Sequence, residues 1–429
     1  MTYEETLEFL FSQLPAYHRI GKAAYKGNLD ITTALDNYFG SPHRKYPAIH
    51  IAGTNGKGSV SHLTASVLQQ AGFRTGLYTS PHLRDFRERI RVNGRMIPES
   101  SVVDFADKHK LIFEKLKPSF FEMTVAMAFD HFASEDVDVA VIEVGLGGRL
   151  DSTNIITPVL SLITNIGHDH MDLLGDTLEK IAFEKAGIIK KNIPIIISES
   201  QPGIRDVFLA KAAESGSVIS FADERYSCSF DESQPINGER KYTMTDLAND
   251  REYEGTSVLC GDYQVRNLQA VFSVCQALKS LFPVSEKQIS AGIRNVVQNT
   301  GFAGRWQILN HQPLTICDTG HNKEGLAFVI NQLKVIPKTS LHMIVGFVND
   351  KDLTSVLPLF PGDAQYYFTK ASVPRAMNEE LLKTMASEYG LKGQSFPDVK
   401  VALSNATANA GNNDVIFVGG STFIVAEVV

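Results

Sequence analysis

Short apolar runs rich in β-branched residues alternate along this chain with stretches whose apolar positions recur at helical spacing. That alternation is the signature of parallel sheets joined by crossover helices. Pro47–Ala52 (PAIHIA) reads as a buried strand, followed by a glycine-rich turn and a helix to about Gln70. Thr75–Thr79, Val137–Val144, Val159–Thr164 and Pro194–Ser198 read as further strands. Ser100–Lys115 and Met123–Ser134 read as helices, the first preceded by Pro98 and capping serines, and Thr177–Gly187 as a helix ending at glycine. Residues 226–260 are polar with short alternating runs, which predicts a small antiparallel excursion before the helix after Gly261. A second α/β series starts near Arg305, with strands at Leu314–Asp318, His342–Gly346, Gln365–Thr369 and Val415–Gly419. The polar, glycine-containing segment Gln298–Gly304 is the expected hinge, giving two unequal α/β domains at 1–298 and 299–429.

A chain of 429 residues suits two or three domains. The net charge of −7 leaves no global basic field for nucleic acid or an anionic membrane, so any bound anion needs local basic groups and backbone N–H groups. The four cysteines (Cys228, Cys260, Cys275, Cys317) are scattered, which excludes a C-x-x-C pair and fits a reducing cytosol. The first residues, MTYEETLEFLFSQL, read as an acidic amphipathic helix rather than a targeting segment. No apolar run approaches the ~20 residues of a membrane span. A cytoplasmic α/β protein is expected.

Between the first strand and its helix stands Ile49–Ser59, I-H-I-A-G-T-N-G-K-G-S. Glycines there let successive N–H groups point at phosphate oxygens, and the helix N-terminus adds partial positive charge. Gly53, Thr54, Asn55, Gly56, Lys57, Gly58 and Ser59 are the candidate ATP-binding residues, with Lys57 able to reach the β- and γ-phosphates. In the common nucleotide loop a hydroxyl follows the lysine directly; here Gly58 intervenes and Ile51 replaces the outer glycine. The reading is therefore a P-loop ATPase domain with a mostly parallel sheet, followed by a smaller Rossmann-like α/β domain.

Glu143 closes a strand where a turn with Gly145, Gly147 and Gly148 begins, the sheet edge at which ligands bind in open α/β folds. A hard carboxylate beside a phosphate loop suits Mg²⁺. His168 and His170 flank Asp169 at the end of another strand, which makes His170 a candidate metal ligand. Lys185 lies in the last turn of a helix, where a cation also favours the macrodipole.

Blocks along the chain extend the pattern: SPHL at Ser80–Leu83, ERIRVNG at Glu88–Gly94, FEMT at Phe121–Thr124 and EVGLGGRLDSTN at Glu143–Asn154. TNIGHDH at Thr164–His170, EKAGI at Glu184–Ile188, GDYQVRN at Gly261–Asn267, Gly304–Arg305, DTGHN at Asp318–Asn322 and Gly420–Ser421 follow in order. With G-T-N-G-K-G-S, these blocks resemble the folylpolyglutamate and dihydrofolate synthases of the Mur ligase superfamily. The resemblance implies an ATP-dependent ligase that phosphorylates a carboxylate and lets the amine of L-glutamate attack the acyl phosphate. It implies two Mg²⁺ ions, held by Ser80, Glu143, His170 and a Lys185 carbamylated by CO₂, with Lys57 at the γ-phosphate. Asn267, Arg305 and Asp318 would lie near ATP, and His321 near the incoming glutamate. Lys351 of Asp350–Asp352 would act in catalysis or nucleotide contact. Ser421, at the start of the last helix, would hold glutamate's carboxylate. Domain closure would bring Arg305 and His321 to the phosphate loop and exclude water.

On the acceptor side the resemblance points to Phe121 and Asp151 for the pterin, Phe121 by stacking. Ser152 stands where family members with both activities often carry alanine. The expected substrates are ATP, L-glutamate and either dihydropteroate or a reduced folate, and the expected state is a monomer. Tyr17–Asn28, with three basic side chains and His18, is a candidate cover for the substrate. Alternatives are a folylpolyglutamate synthase alone, another Mur-type amino-acid ligase, or a non-catalytic nucleotide-dependent switch. A peptidoglycan-type ligase usually carries an extra N-terminal domain, for which residues before 53 leave little room, and a switch needs no site for an acyl phosphate.

Overall fold

The computed structural model describes residues 1–12, 27–231, 238–349 and 351–429. The expected cover at Tyr17–Asn28 falls mostly outside them, as does Asp350. Two compact units emerge from the contacts: residues 1–229, 243–255 and 266–302, and residues 230–242, 256–265 and 303–429.

The first unit is built on eight strands: β1 (Ala48–Ala52), β2 (Thr75–Tyr78), β3 (Ile90–Val92), β4 (Arg95–Met96), β5 (Val139–Glu143), β6 (Leu160–Ile163), β7 (Ile195–Ile197) and β8 (Ile219–Phe221). Their order is β4-β3-β2-β5-β1-β6-β7-β8, with β1 at the centre parallel to β5 and β6. Every residue of β1 and β5 is buried, which is why these strands read as unbroken apolar runs rather than alternating ones. One edge is antiparallel: β3 pairs with β2, and β4 with β3. The turn between β3 and β4 is Asn93–Gly94 with φ of 47° and 74°, the left-handed pair a two-residue hairpin needs.

Two helices differ from the sequence expectation at their starts. The helix Phe120–Ser134 begins ahead of Met123, because Ser119 and Glu122 form a reciprocal capping box. The helix Glu99–Leu116 is preceded by Pro98 without a side-chain cap, so Ser100 and Ser101 lie inside its first turn and do not cap it.

Residues 226–257 form a three-stranded sheet in the order β11-β10-β9, from β9 (Tyr226–Phe230), β10 (Arg240–Asp246) and β11 (Arg251–Ser257). The second unit carries six strands: β12 (Gln307–His311), β13 (Leu314–Asp318), β14 (Leu341–Val345), β15 (Gln365–Phe368), β16 (Gly393–Ser395) and β17 (Val415–Gly419). Their order is β12-β13-β17-β14-β15-β16, parallel except for β12 against β13. The expected hinge opens as the helix Val296–Thr300, which stops at Gly301 with φ 66°. No helix among the described residues is long and apolar enough to cross a membrane.

Candidate functional site

β1 ends at Ala52, and the chain passes through Gly53–Gly56 into the helix Lys57–Gln70. Gly53 has φ 146°, and a Cβ there would stand 1.7 Å from Thr164 Oγ1. Gly56 has φ 88°, and its Cβ would stand 2.5 Å from Asn267 Oδ1. Both glycines are thus required by backbone conformation and by a close neighbour. The loop is strapped to the segment after β6. Thr54 N donates to Asn165 O at 2.8 Å, Asn55 N to Asn165 Oδ1 at 2.8 Å, and Gly167 N to Thr54 Oγ1 at 3.0 Å. Thr164 Oγ1 donates to Asn55 O at 2.6 Å. Thr164 and Asn165 are site residues that the sequence reading did not single out; the only signal was their place in T-N-I-G-H-D-H.

Lys57 Nζ donates to Gly53 O at 3.1 Å and Thr54 O at 3.2 Å, folded over its own loop. Ser59, in the first turn of the helix, is buried. Glu143 ends β5 beside this helix: a Cβ on Gly58 would meet Glu143 Oε1 at 3.7 Å. The Ser80 N–H donates to Glu143 Oε2 at 2.9 Å. Glu143, Ser80 and Asn267 are therefore gathered around the phosphate loop that carries Lys57.

Lys185 is buried, and its Nζ donates to Gly53 O at 2.7 Å. Burial, reinforced by the nearby Lys57 ammonium, pushes its amine down to about 7. His170 has φ 50°, precedes the short helix Met171–Leu174, and has Nε2 3.8 Å from Asp169 Oδ2 with its side chain 33% exposed. Among the described residues no group of three or more His, Cys, Asp and Glu is placed to hold a metal ion. The Glu143 carboxylate is the oxygen donor that lies against the phosphate-loop helix, with the Ser80 backbone beside it.

The glycine turn after β5 separates two groups. A Cβ on Gly145 would stand 2.4 Å from Phe121 Cζ and 3.2 Å from Asp151 Oδ2. On Gly148 it would stand 2.9 Å from Lys185 O. Phe121 and Asp151 are thus brought together on the Gly145 side, with Lys185 on the Gly148 side. The Asp151 carboxylate is buried and accepts from Leu146 N at 2.9 Å and Thr153 N at 2.9 Å, and from the Thr153 hydroxyl. Burial pushes its pKa up, while those donors oppose the shift. Ser152 is buried in the short helical turn Ser152–Ile155 that Asp151 caps.

In the second unit, Asp318 at the end of β13 accepts from Tyr263 Oη at 2.6 Å and Trp306 N at 2.8 Å through Oδ2, and from Gly320 N at 2.7 Å through Oδ1. Its carboxylate organises the turn that also carries Arg305. The His321 ring Nδ1 is 3.1 Å from Thr319 O, and Asn322 caps the helix Lys323–Val335. Ser421 Oγ accepts from Ile424 N at 3.2 Å, capping a helix of five residues, Thr422–Ala426. Asp352 Oδ1 accepts from Thr354 N at 3.0 Å, closing a local turn next to Lys351.

The Mur ligase middle domain model matches residues 51–275, and the Mur ligase, glutamate ligase domain model matches residues 304–422. The folylpolyglutamate synthase of Lacticaseibacillus casei is 32% identical, with 88% of each chain aligned. The dihydrofolate synthase/folylpolyglutamate synthase of Bacillus subtilis is 31% identical, with 91% of each chain aligned. A probable bifunctional folylpolyglutamate synthase/dihydropteroate synthase of Haloferax volcanii is 30% identical; this chain spans 50% of its length. Among solved structures, Thermotoga maritima folylpolyglutamate synthase superposes with a TM-score of 0.82 at 31% identity, covering 99% of this chain and 95% of that one. Escherichia coli FolC in complex with DHPP and ADP superposes with a TM-score of 0.82 at 27% identity, covering 100% and 97%. The chain belongs to the folylpolyglutamate synthase/dihydrofolate synthase family of Mur-type ligases.

Proposed function

We propose that this chain is an ATP-dependent ligase that adds L-glutamate to dihydropteroate and to the γ-carboxylate of (tetrahydro)folate. The observation that carries this reading is the Glu143 carboxylate lying against Gly58 in the first turn of the phosphate-loop helix, oriented by the Ser80 N–H. A carboxylate there has no use in binding phosphate directly; it fits a site where a cation lies between it and the phosphates.

Carboxylate oxygen is a poor leaving group, so the acceptor carboxylate must first take the γ-phosphoryl of ATP, releasing ADP. The amine of glutamate then attacks the acyl carbon, the bond from that carbon to the phosphate-bearing oxygen breaks, phosphate leaves with that oxygen and the electron pair, and the amine loses a proton. Lys57 serves by exchanging the carbonyls of Gly53 and Thr54 for phosphate oxygens. When bound, Mg²⁺ supplies charge neutralisation at the phosphates. The hard oxygens of Glu143 and Ser80 suit one such ion. A second ion at His170 would need Lys185 as a carbamate. An amine held near 7 is neutral often enough at physiological pH to attack CO₂, giving N–COO⁻ and a proton. Phe121 and Asp151, together across Gly145, suit a flat heterocycle with N–H donors. Asn267 beside Gly56 and, in the second unit, Arg305 and Asp318 are assigned to ATP. His321 and Ser421 are assigned to glutamate and Lys351 to catalysis or nucleotide contact, with residues 1–298 as the ATP-binding domain and 299–429 as the glutamate-ligase domain. The proposed setting is a cytoplasmic monomer.

A second reading, polyglutamylation alone, is favoured by Ser152, a buried residue that follows Asp151 in the chain. The test is ADP release with ATP, Mg²⁺ and glutamate, offering dihydropteroate in one reaction and tetrahydrofolate in another. Turnover with both supports the bifunctional reading, turnover with tetrahydrofolate alone the second, and turnover with neither refutes both.

A further inference from the structure

His50 is fully buried in β1, just ahead of the phosphate loop. Its Nε2 lies 2.9 Å from Thr153 Oγ1. The Thr153 hydroxyl in turn donates to Asp151 Oδ1, the oxygen that also accepts the Thr153 N–H at 2.9 Å. A hydroxyl has one proton, and here it is committed to the carboxylate. Thr153 Oγ1 must therefore accept from His50, which places the imidazole proton on Nε2. Nδ1 then carries a lone pair, and it finds no hydrogen-bond partner among the described residues. Burial, with the Lys190 ammonium adding to it, pushes the imidazole down to about 3, so the ring is neutral. The chain of donors thus runs one way, from His50 through Thr153 to Asp151.

The far end of this chain is the oxygen pair beside the acceptor aromatic. Asp151 Oδ2 takes the Leu146 N–H at 2.9 Å and lies where a Gly145 Cβ would touch it. Both Thr153 donors fall on Oδ1, so they fix that oxygen and with it the direction in which Oδ2 faces Gly145 and Phe121. Without the Thr153 hydroxyl, two things change together. The carboxylate loses one of the contacts that fix its rotation, and burial is less opposed in favouring the protonated form, which would present a donor where an acceptor is needed.

We infer that His50 and Thr153 are positioning residues for acceptor binding, a directed two-bond relay that holds the Asp151 carboxylate beside Phe121 as an acceptor for the N–H groups of a flat nitrogen heterocycle. The inference rests on the proposed function, in which Asp151 faces the acceptor. Neither residue touches the substrate; both act through Asp151.

Thr153→Val keeps the volume of the side chain and removes both of its hydrogen bonds, while Thr153→Ser restores them. Steady-state ADP release on the full chain is measured with varied acceptor and with varied ATP, alongside thermal unfolding. The expected result for Thr153→Val is an acceptor KM raised about tenfold or more, the scale of a lost hydrogen bond to a charged group, with kcat and the ATP KM within about twofold. Thr153→Ser is expected to return the acceptor KM to the parent value. An acceptor KM unchanged in Thr153→Val, while Asp151→Ala raises it, overturns the relay and leaves the Asp151 assignment standing. An unchanged acceptor KM in Asp151→Ala removes that assignment and the relay with it. Equal losses across kcat, acceptor KM and ATP KM, unrescued by serine, overturn the inference in favour of a purely structural hydroxyl. If Thr153→Val does not fold, Thr153→Ala takes its place under the same criteria.

Discussion

Lys185 and Lys57 donate to one and the same oxygen, the carbonyl of Gly53, at 2.7 and 3.1 Å. Two amines converging in a buried place cannot both hold a proton cheaply. Burial, with the Lys57 ammonium adding to it, pushes the Lys185 amine down to about 7.

A neutral amine attacks CO₂ and an ammonium does not, so the carbamate proposed at Lys185 would follow the neutral fraction, which rises as pH passes upward through about 7. Protein freed of CO₂ is expected to show low ligase activity that bicarbonate restores, with a larger restoration at pH 8 than at pH 6. ADP release before and after bicarbonate addition checks this. Lys185→Arg, whose guanidinium does not form the carbamate, is expected to lack the response. Equal activity with and without bicarbonate in the parent would remove the carbamate from the mechanism.

The same shift has a consequence for stability in CO₂-free buffer. The folded-state pKa of about 7 lies below the ordinary 10.5, so between those values the unfolded chain binds more protons than the folded one. Stability contributed at this site therefore rises with pH across that window and is lowest at and below its lower end. Lys185→Met has no such proton to lose. Its advantage in urea midpoint over the parent is expected to be largest near pH 7 and to shrink toward pH 9.5. A gap that widens with pH would contradict the buried-amine account.

Gly53 leaves no room for a side chain on two counts: φ of 146°, and Thr164 Oγ1 at 1.7 Å from an added Cβ. Gly53→Ala should destabilise the loop by about 2 kcal/mol or more, combining backbone strain with overpacking. A raised ATP KM and a lower urea midpoint are the expected readings. Adding Thr164→Ala removes the 1.7 Å clash but leaves Thr164 Cβ at 3.0 Å and the strained φ, and it deletes the hydroxyl bonded to Asn55 O, so the double variant should recover only part of the loss.

Legibility in the sequence tracked how local each feature is. Leu314–Asp318 and Val415–Gly419 occur as strands with the bounds their apolar runs suggest, because strands buried along nearly all their length announce themselves by composition. The β3–β4 hairpin was also written locally, in Asn93–Gly94, but its strands are too short to stand out as periodic runs. Phe120 entered its helix through a Ser119–Glu122 capping box that a reading based on apolar spacing passes over. Lys185, in the last turn of a helix, reads as a cation that favours the macrodipole, and only the family resemblance gives it another role. Its burial comes from the close approach of Gly148 and from the Gly53 carbonyl, 132 positions away in the chain. The Thr164 strap to Asn55, 109 positions apart, is equally invisible without the sheet order that puts β6 beside β1.

Asp318 is where motif and geometry pull apart most. The family pattern places it near ATP, while its carboxylate here is occupied by Tyr263, Trp306 and Gly320. Asp318→Asn discriminates between the two roles. An amide keeps one accepting oxygen, so its NH₂ must face either the Trp306 N–H or the Gly320 N–H, whichever way it is turned. One buried backbone donor is then orphaned, and a charge-assisted bond to another is weakened, at a cost of about 3 kcal/mol. A structural carboxylate therefore predicts a urea midpoint that falls markedly, with the ATP KM rising only as the turn carrying Arg305 loosens. A midpoint equal to the parent's, together with an ATP KM raised by tenfold or more, would assign the carboxylate to the nucleotide itself.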